Sequence, residues 1–230
     1  MKQKALDAFK GFMRELVFGM EDGLVSNLGI VLAVWVATKN ANVILLSGLA
    51  SMFAGALSMS AGSYLSSKSV AEVYEAERIK AKELINNQPK KASKEMKKLL
   101  TKEHFDPDEI EAMMRHFLHH NKETFAINYL QKKMHVSPKG SSHPTHDAVV
   151  MFLAFALGSI FPIIPFFFGA SNLTMVISAS LTIAMLFVVG AGKSVVTHRD
   201  WFISGVEIVG VGITAGALGY IVGALFGVVV

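Results

Sequence analysis

The chain has 230 residues, 52% of them hydrophobic, with a mean hydropathy of +0.43 and a formal charge of +4. A composition this apolar excludes an ordinary soluble domain, and the lack of cysteine excludes a disulfide framework or a thiolate metal site. The basic excess lies beside long apolar runs and has no aromatic-rich basic patch, which points to a cytoplasmic membrane face and away from nucleic acid.

The first apolar run covers residues 16–38. It is preceded by Lys2, Lys4, Lys10 and Arg14 and broken by Glu21 and Asp22, so it reads as a retained span rather than a cleaved signal peptide. Burying a carboxylate at the centre of a membrane helix costs about 2.5 kcal/mol or more, so Glu21 and Asp22 are expected to face a cavity or an ion path. The alternative is a helix that starts at Gly23, with both acids in the headgroup region. That would strand the apolar residues 16–20 in water.

The second run, residues 43–65, carries no charge and is long enough for a hydrocarbon core of roughly 30 Å. It contains a ridge of small residues, Ala54, Ser58, Gly62 and Ser66, that permits close helix approach. Met59 lies within this ridge and offers a soft thioether, although methionine in an apolar helix is more often packing.

Residues 68–147 are of another kind, rich in Glu, Lys, Ala and Met and punctuated by Pro89 and Asp106-Pro107. Two or three amphipathic helices are expected, with Asp106 and Glu109 as a capping-box pair and Pro107 at the first helical position. Here Glu72, Glu75 and Glu83 are weak candidate metal ligands. So are the i,i+4 pairs His116 with His120 and His119 with Glu123, though a solvated polar face is the plainer reading.

Three more spans follow at residues 148–170, 173–191 and 202–230. The last carries one carboxylate, Glu207, and a glycine ridge at 212, 216, 219, 223 and 227 suited to tight packing, a subunit interface included. The expected architecture is therefore an all-α integral membrane protein. Residues 1–67 hold the N-terminal segment and spans 1 and 2, residues 68–147 form a helical cytoplasmic insert, and residues 148–230 hold spans 3–5. Fifteen Lys and Arg in the insert, with Lys193 and Arg199 between spans 4 and 5, place the N-terminus and insert in the cytoplasm and the C-terminus outside. All eight histidines lie outside the spans or in loops, so no span serine has a span histidine as its base and no enzyme is indicated.

The stretch Phe18-Gly-Met-Glu-Asp-Gly-Leu-Val-Ser-Asn-Leu-Gly29, then Ala54-Gly-Ala-Leu-Ser-Met59 with Gly62-Ser-Tyr64, resembles the first two spans of the vacuolar iron transporter family. Pro162-Ile-Ile-Pro-Phe166 and Gly219-Tyr220 with Gly223 extend the likeness to nearly the whole chain. The resemblance implies a homodimer of five-helix subunits, an ion path along the dimer interface, and proton-coupled export of Fe²⁺ or Mn²⁺ from the cytoplasm. The metal is substrate, and no permanent cofactor is implied. Asp22 and Met59 stand at the path-lining positions, with Glu21 or Glu207 as an auxiliary carboxylate. Two family glutamates are replaced here, by Ser51 and Ser63. In the insert Glu83 and Glu95 match family positions, but residues 129–133 lack the Met-Met-x-x-Glu pattern, and Lys90, Lys91, Lys94, Lys97 and Lys98 would repel a cation. These losses motivate an alternative, a non-transporting membrane protein of the same fold that senses metal or binds a partner. A prokaryotic plasma membrane is the expected location.

Overall fold

The computed structural model describes residues 2–119, 122–134 and 143–227. The described residues form eight α-helices, one short 3-10 helix and no strand. Five helices are long and apolar enough to cross a bilayer, so the protein is a multi-pass helical membrane protein. By contacts the chain divides into two compact units, residues 8–66 with 143–230 and residues 1–7 with 67–142.

The first unit holds the spans. Helix α1 (Lys2–Thr38) runs unbroken through Glu21 and Asp22, which removes the alternative of a helix beginning at Gly23. Lys39 turns the chain with a φ of 50°. Asn40 then caps α2 (Ala41–Asn87), its Oδ1 accepting from the backbone N–H of Asn42 at 3.0 Å. So short a connection makes α1 and the membrane part of α2 an antiparallel pair.

Helix α6 (Pro144–Ile163) passes into a 3-10 helix, Ile164–Phe168. The cause is Pro165, which has no N–H to continue the α-helical ladder. The Pro162 carbonyl accepts a 2.6 Å hydrogen bond from the Ser178 hydroxyl of α7 (Asn172–Thr197). The tightened turn brings Phe166 fully into a core with Val31, Trp35, Ile44 and Met52. The sequence feature Pro162 to Phe166 is thus a device for ending a span and filling the gap beneath its end.

Helices α7 and α8 (Trp201–Gly227) form a close hairpin, with Asp200 Oδ1 capping α8 through the N–H groups of Phe202 and Ile203 at 2.8 and 3.0 Å. The glycine ridge of α8 is used inside the chain. A Cβ built at Gly219 would lie 2.2 Å from the Gly29 carbonyl oxygen, and one at Gly223 would lie 2.3 Å from that of Ala33, so α8 packs backbone to backbone on α1. The small-residue ridge of α2 differs. Ala54, Ser58, Gly62 and Ser66 are exposed, and a Cβ at Gly62 would meet nothing.

The second unit is a helical lobe. The end of α2, α3 (Pro89–Lys102), α4 (Pro107–His119) and α5 (Lys122–Met134) surround a core of Ile85, Met96, Leu100, Met114, Phe117, Phe125 and Leu130. The expected start of α4 is present, the Asp106 N–H donating to Glu109 Oε2 at 3.0 Å with Pro107 at the first position.

Candidate functional site

Glu15, Asp22 and Ser26 lie on one stripe of α1, because offsets of seven and four residues bring side chains back to the same face. Glu15 is only 5% exposed. Its carboxylate accepts from the Arg14 guanidinium at 2.6 Å and from the Ser63 hydroxyl of α2 at 3.1 Å. Asp22 and Glu21 are half-buried, and the Ser26 hydroxyl donates to the Asp22 carbonyl at 2.5 Å.

The Glu15 to Ser63 bond sets the register of the antiparallel pair. Seven residues beyond Glu15 place Asp22 roughly 10 Å along α1, and four residues before Ser63 place Met59 roughly 6 Å along α2 in the same direction. Met59 therefore lies within about one turn of the level of Asp22. It belongs to the stripe that includes the buried Met52 and Ala56 and ends at Ser63. A hard carboxylate and a soft thioether thus share a level on neighbouring helices, with a second carboxylate two turns away.

What holds α1 in place is its seat on α6. A Cβ at Gly23 would lie 2.3 Å from the Phe155 carbonyl oxygen, and one at Gly158 would lie 2.4 Å from that of Met20. The glycine after Asp22 is thus required by main-chain contact. One turn on, the fully buried Asn27 donates to Ser159 Oγ at 2.8 Å, and Ser159 in turn donates to the Phe155 carbonyl at 2.8 Å. This network keys the rotation of α1 about its own axis, and with it the direction of Asp22.

Glu21 faces another side. With Met13, Val17, Phe18 and Lys193 it lines a cavity of about 300 Å³ between α1 and α7. The Lys193 ammonium reaches Glu207 of α8, with Nζ 3.7 Å from Oε2. The Glu207 side chain is 54% exposed and lines a separate cavity with Arg199, Asp200 and Phe202. Lys193 thus pairs with Glu207 and shares the lining of the α1–α7 cavity with Glu21.

In the helical lobe the acidic candidates are largely engaged by neighbouring groups. Glu72 lies 3.8 Å from Lys68, Glu75 lies 3.2 Å from Arg78, and Glu95 accepts the Tyr129 hydroxyl at 2.6 Å. Burial, together with that bond to Glu95, raises the Tyr129 phenol above its usual range. Glu123 pairs with Lys82 at 2.9 Å and Arg78 at 2.5 Å, and their hydrogen bonds hold its carboxyl below the ordinary carboxylate range. Glu83 and His116 are exposed, while His120 and the His119 side chain lie outside the described residues. Among the described residues no three His, Asp or Glu side chains gather as a ready metal cage.

Two residues of this site escaped the sequence reading. Glu15 falls just before the expected start of the first span, and Lys193 just past the expected end of the fourth. The seven-residue offset from Asp22 was a usable signal for Glu15. Lys193 had none beyond the helical continuity of α7.

Comparison with known proteins gives a consistent set of matches. A family model described as the VIT family matches residues 13–224. "Vacuolar iron transporter 1" of Eucalyptus grandis is 25% identical over 210 residues, 90% of this chain and 84% of that protein. "Vacuolar iron transporter cccA" of Arthroderma benhamiae is 29% identical over 213 residues, 92% of this chain and 74% of that protein. "Vacuolar iron transporter" of Plasmodium falciparum is 25% identical over 227 residues, 94% of this chain and 82% of that protein.

Proposed function

This chain belongs to the VIT family, and on that premise we propose that it exports Fe²⁺, Mn²⁺ or both from the cytoplasm in exchange for protons. Iron as a transported substrate is the best supported part, since its relatives are named as iron transporters. The observation that carries the site assignment is the common level of Asp22 and Met59 on the α1 and α2 pair pinned by Glu15 and Ser63. Asp22 supplies the hard ligand and the proton acceptor. Metal and proton compete for the same carboxylate lone pairs, so loading one releases the other. Met59 adds a soft contact that favours Fe²⁺ and Mn²⁺ over Mg²⁺.

Glu15 answers the loss of a carboxylate at Ser63. The serine hydroxyl brings the Glu15 carboxylate to the place a longer acidic side chain at position 63 would reach. Glu15 supports transport, while the exposed position of Glu207 beside Arg199 and Asp200 supports the alternative of a non-transporting sensor or scaffold. Glu21 and Glu207 act as auxiliary carboxylates. In the insert, Glu72, Glu75, Glu83, Glu95, His116 and His120 are at most a weak collecting surface, because salt bridges and the Tyr129 bond already occupy several of them.

A single chain offers two strong ligands at the Asp22 level, so a homodimer that pairs two such sets completes a metal path. The open ridge of Ala54, Ser58, Gly62 and Ser66 on α2 is the face offered to the second copy. The N-terminus and insert are placed in the cytoplasm and the C-terminus outside, in a plasma membrane if the host is prokaryotic. Uptake of a panel of divalent metals into proteoliposomes containing a pH-sensitive dye tests the reading.

A further inference from the structure

Lys193 is a cation set among membrane carboxylates. Its Nζ is 3.7 Å from Glu207 Oε2, and it lines with Glu21 the cavity of about 300 Å³ between α1 and α7. Arg14 also borders this cavity, but its guanidinium is committed to Glu15 at 2.6 Å. The ammonium of Lys193 therefore pairs with Glu207 and borders the same cavity as Glu21, while the Arg199 side chain lines the other cavity with Glu207.

We propose that Lys193 is a tethered counter-cation that pairs with Glu207 beside Glu21 in the metal-free protein and must be displaced when a divalent metal enters. This rests on the transport reading above and names a residue that sets the threshold for it. A protonated lysine has three donors and no lone pair, so it cannot join the metal's coordination shell. It can only neutralise the carboxylates or leave them. Its four-carbon stem is flexible, and the adjoining cavity gives the ammonium somewhere to go. A divalent ion arriving beside Glu21 meets the unit positive charge of Lys193. Entry is therefore opposed until the metal concentration is high enough to displace the lysine. Such an arrangement leaves scarce metal in the cytoplasm and exports the excess.

The test measures the KM and turnover of the full-length protein in proteoliposomes, with anaerobic Fe²⁺ and separately with Mn²⁺. Lys193→Met keeps the apolar stem and removes the charge. Its KM is expected to fall by about tenfold or more with no rise in turnover. Lys193→Arg, which keeps the charge, should stay within about threefold of the wild-type KM. An unchanged or raised KM in Lys193→Met overturns the proposal, as does a loss of turnover at unchanged KM, which is the mark of a structural role. Should the methionine variant fail to fold, Lys193→Gln makes the same measurement. A wild-type protein that moves no metal at all would count against the transport reading instead, so the two failures are distinguishable.

Discussion

The Ser63 hydroxyl donates a 3.1 Å hydrogen bond to Oε2 of Glu15, joining α2 to a carboxylate that is 5% exposed on α1. The bond ties the first two spans together and sets a carboxylate beside the serine at position 63. Structure and chemistry can be separated at this position. Glu15→Gln retains an amide oxygen that accepts from Ser63 but has no charge. Iron transport should fall by about tenfold or more while expression and thermal stability in detergent are kept. Full transport by this variant would reduce Glu15 to a packing role.

Main-chain contact between α1 and α6 predicts a sharp contrast among glycines. Gly23→Ala and Gly158→Ala place a methyl group within 2.4 Å of a carbonyl oxygen, and backbone cannot step aside as a flexible side chain can. Each should cost about 1–3 kcal/mol or more, read as a lowered unfolding temperature of the purified protein. Gly192→Ala, with open space around the site, should unfold like the wild type.

The two small-residue ridges should respond differently to bulk. Gly219→Leu would drive a side chain into the Gly29 backbone and abolish the folded monomer. Gly62→Leu meets nothing within the chain and should leave the monomer folded while weakening self-association. Size-exclusion chromatography with light scattering distinguishes these outcomes. A Gly62→Leu protein that remains fully dimeric would remove the α2 ridge from the interface.

The helical lobe should lose stability on the acid side through Glu123. Lys82 and Arg78 lower its folded-state pKa below the unfolded value near 4.5, so its contribution is complete above the unfolded pKa and disappears as pH falls through the folded one. Glu123→Gln should therefore speed hydrogen exchange in α5 of the full-length protein at neutral pH. The difference from wild type should shrink as the pH falls below 4.5 and through the lowered folded-state pKa. A difference that stays constant with pH would mean that the ion pairs contribute nothing.

Much of this architecture was legible because charge and apolar length separate spans from aqueous segments, and because Asp106, Pro107 and Glu109 announce a helix start by local chemistry alone. The membrane carboxylates Glu21 and Asp22 were visible for the same reason. What could not be read was direction. Glu21 and Asp22 are adjacent in sequence, yet Glu21 faces Lys193 on α7 while Asp22 shares the stripe of Glu15. That difference depends on the rotation of α1, which Gly23, Asn27 and Ser159 fix through tertiary contacts. The glycine ridge of α8 likewise signalled close packing without naming α1 as its partner.

In the proposed mechanism Asp22 is the group at which metal and proton exchange. The most direct test is metal-driven proton movement in proteoliposomes carrying wild-type or Asp22→Asn protein, with the pH-sensitive dye enclosed and Fe²⁺ or Mn²⁺ added outside. The account predicts coupled metal entry and proton exit for the wild type, and neither for Asp22→Asn, although that variant still assembles as a dimer. Undiminished, proton-coupled metal flux through Asp22→Asn would contradict it.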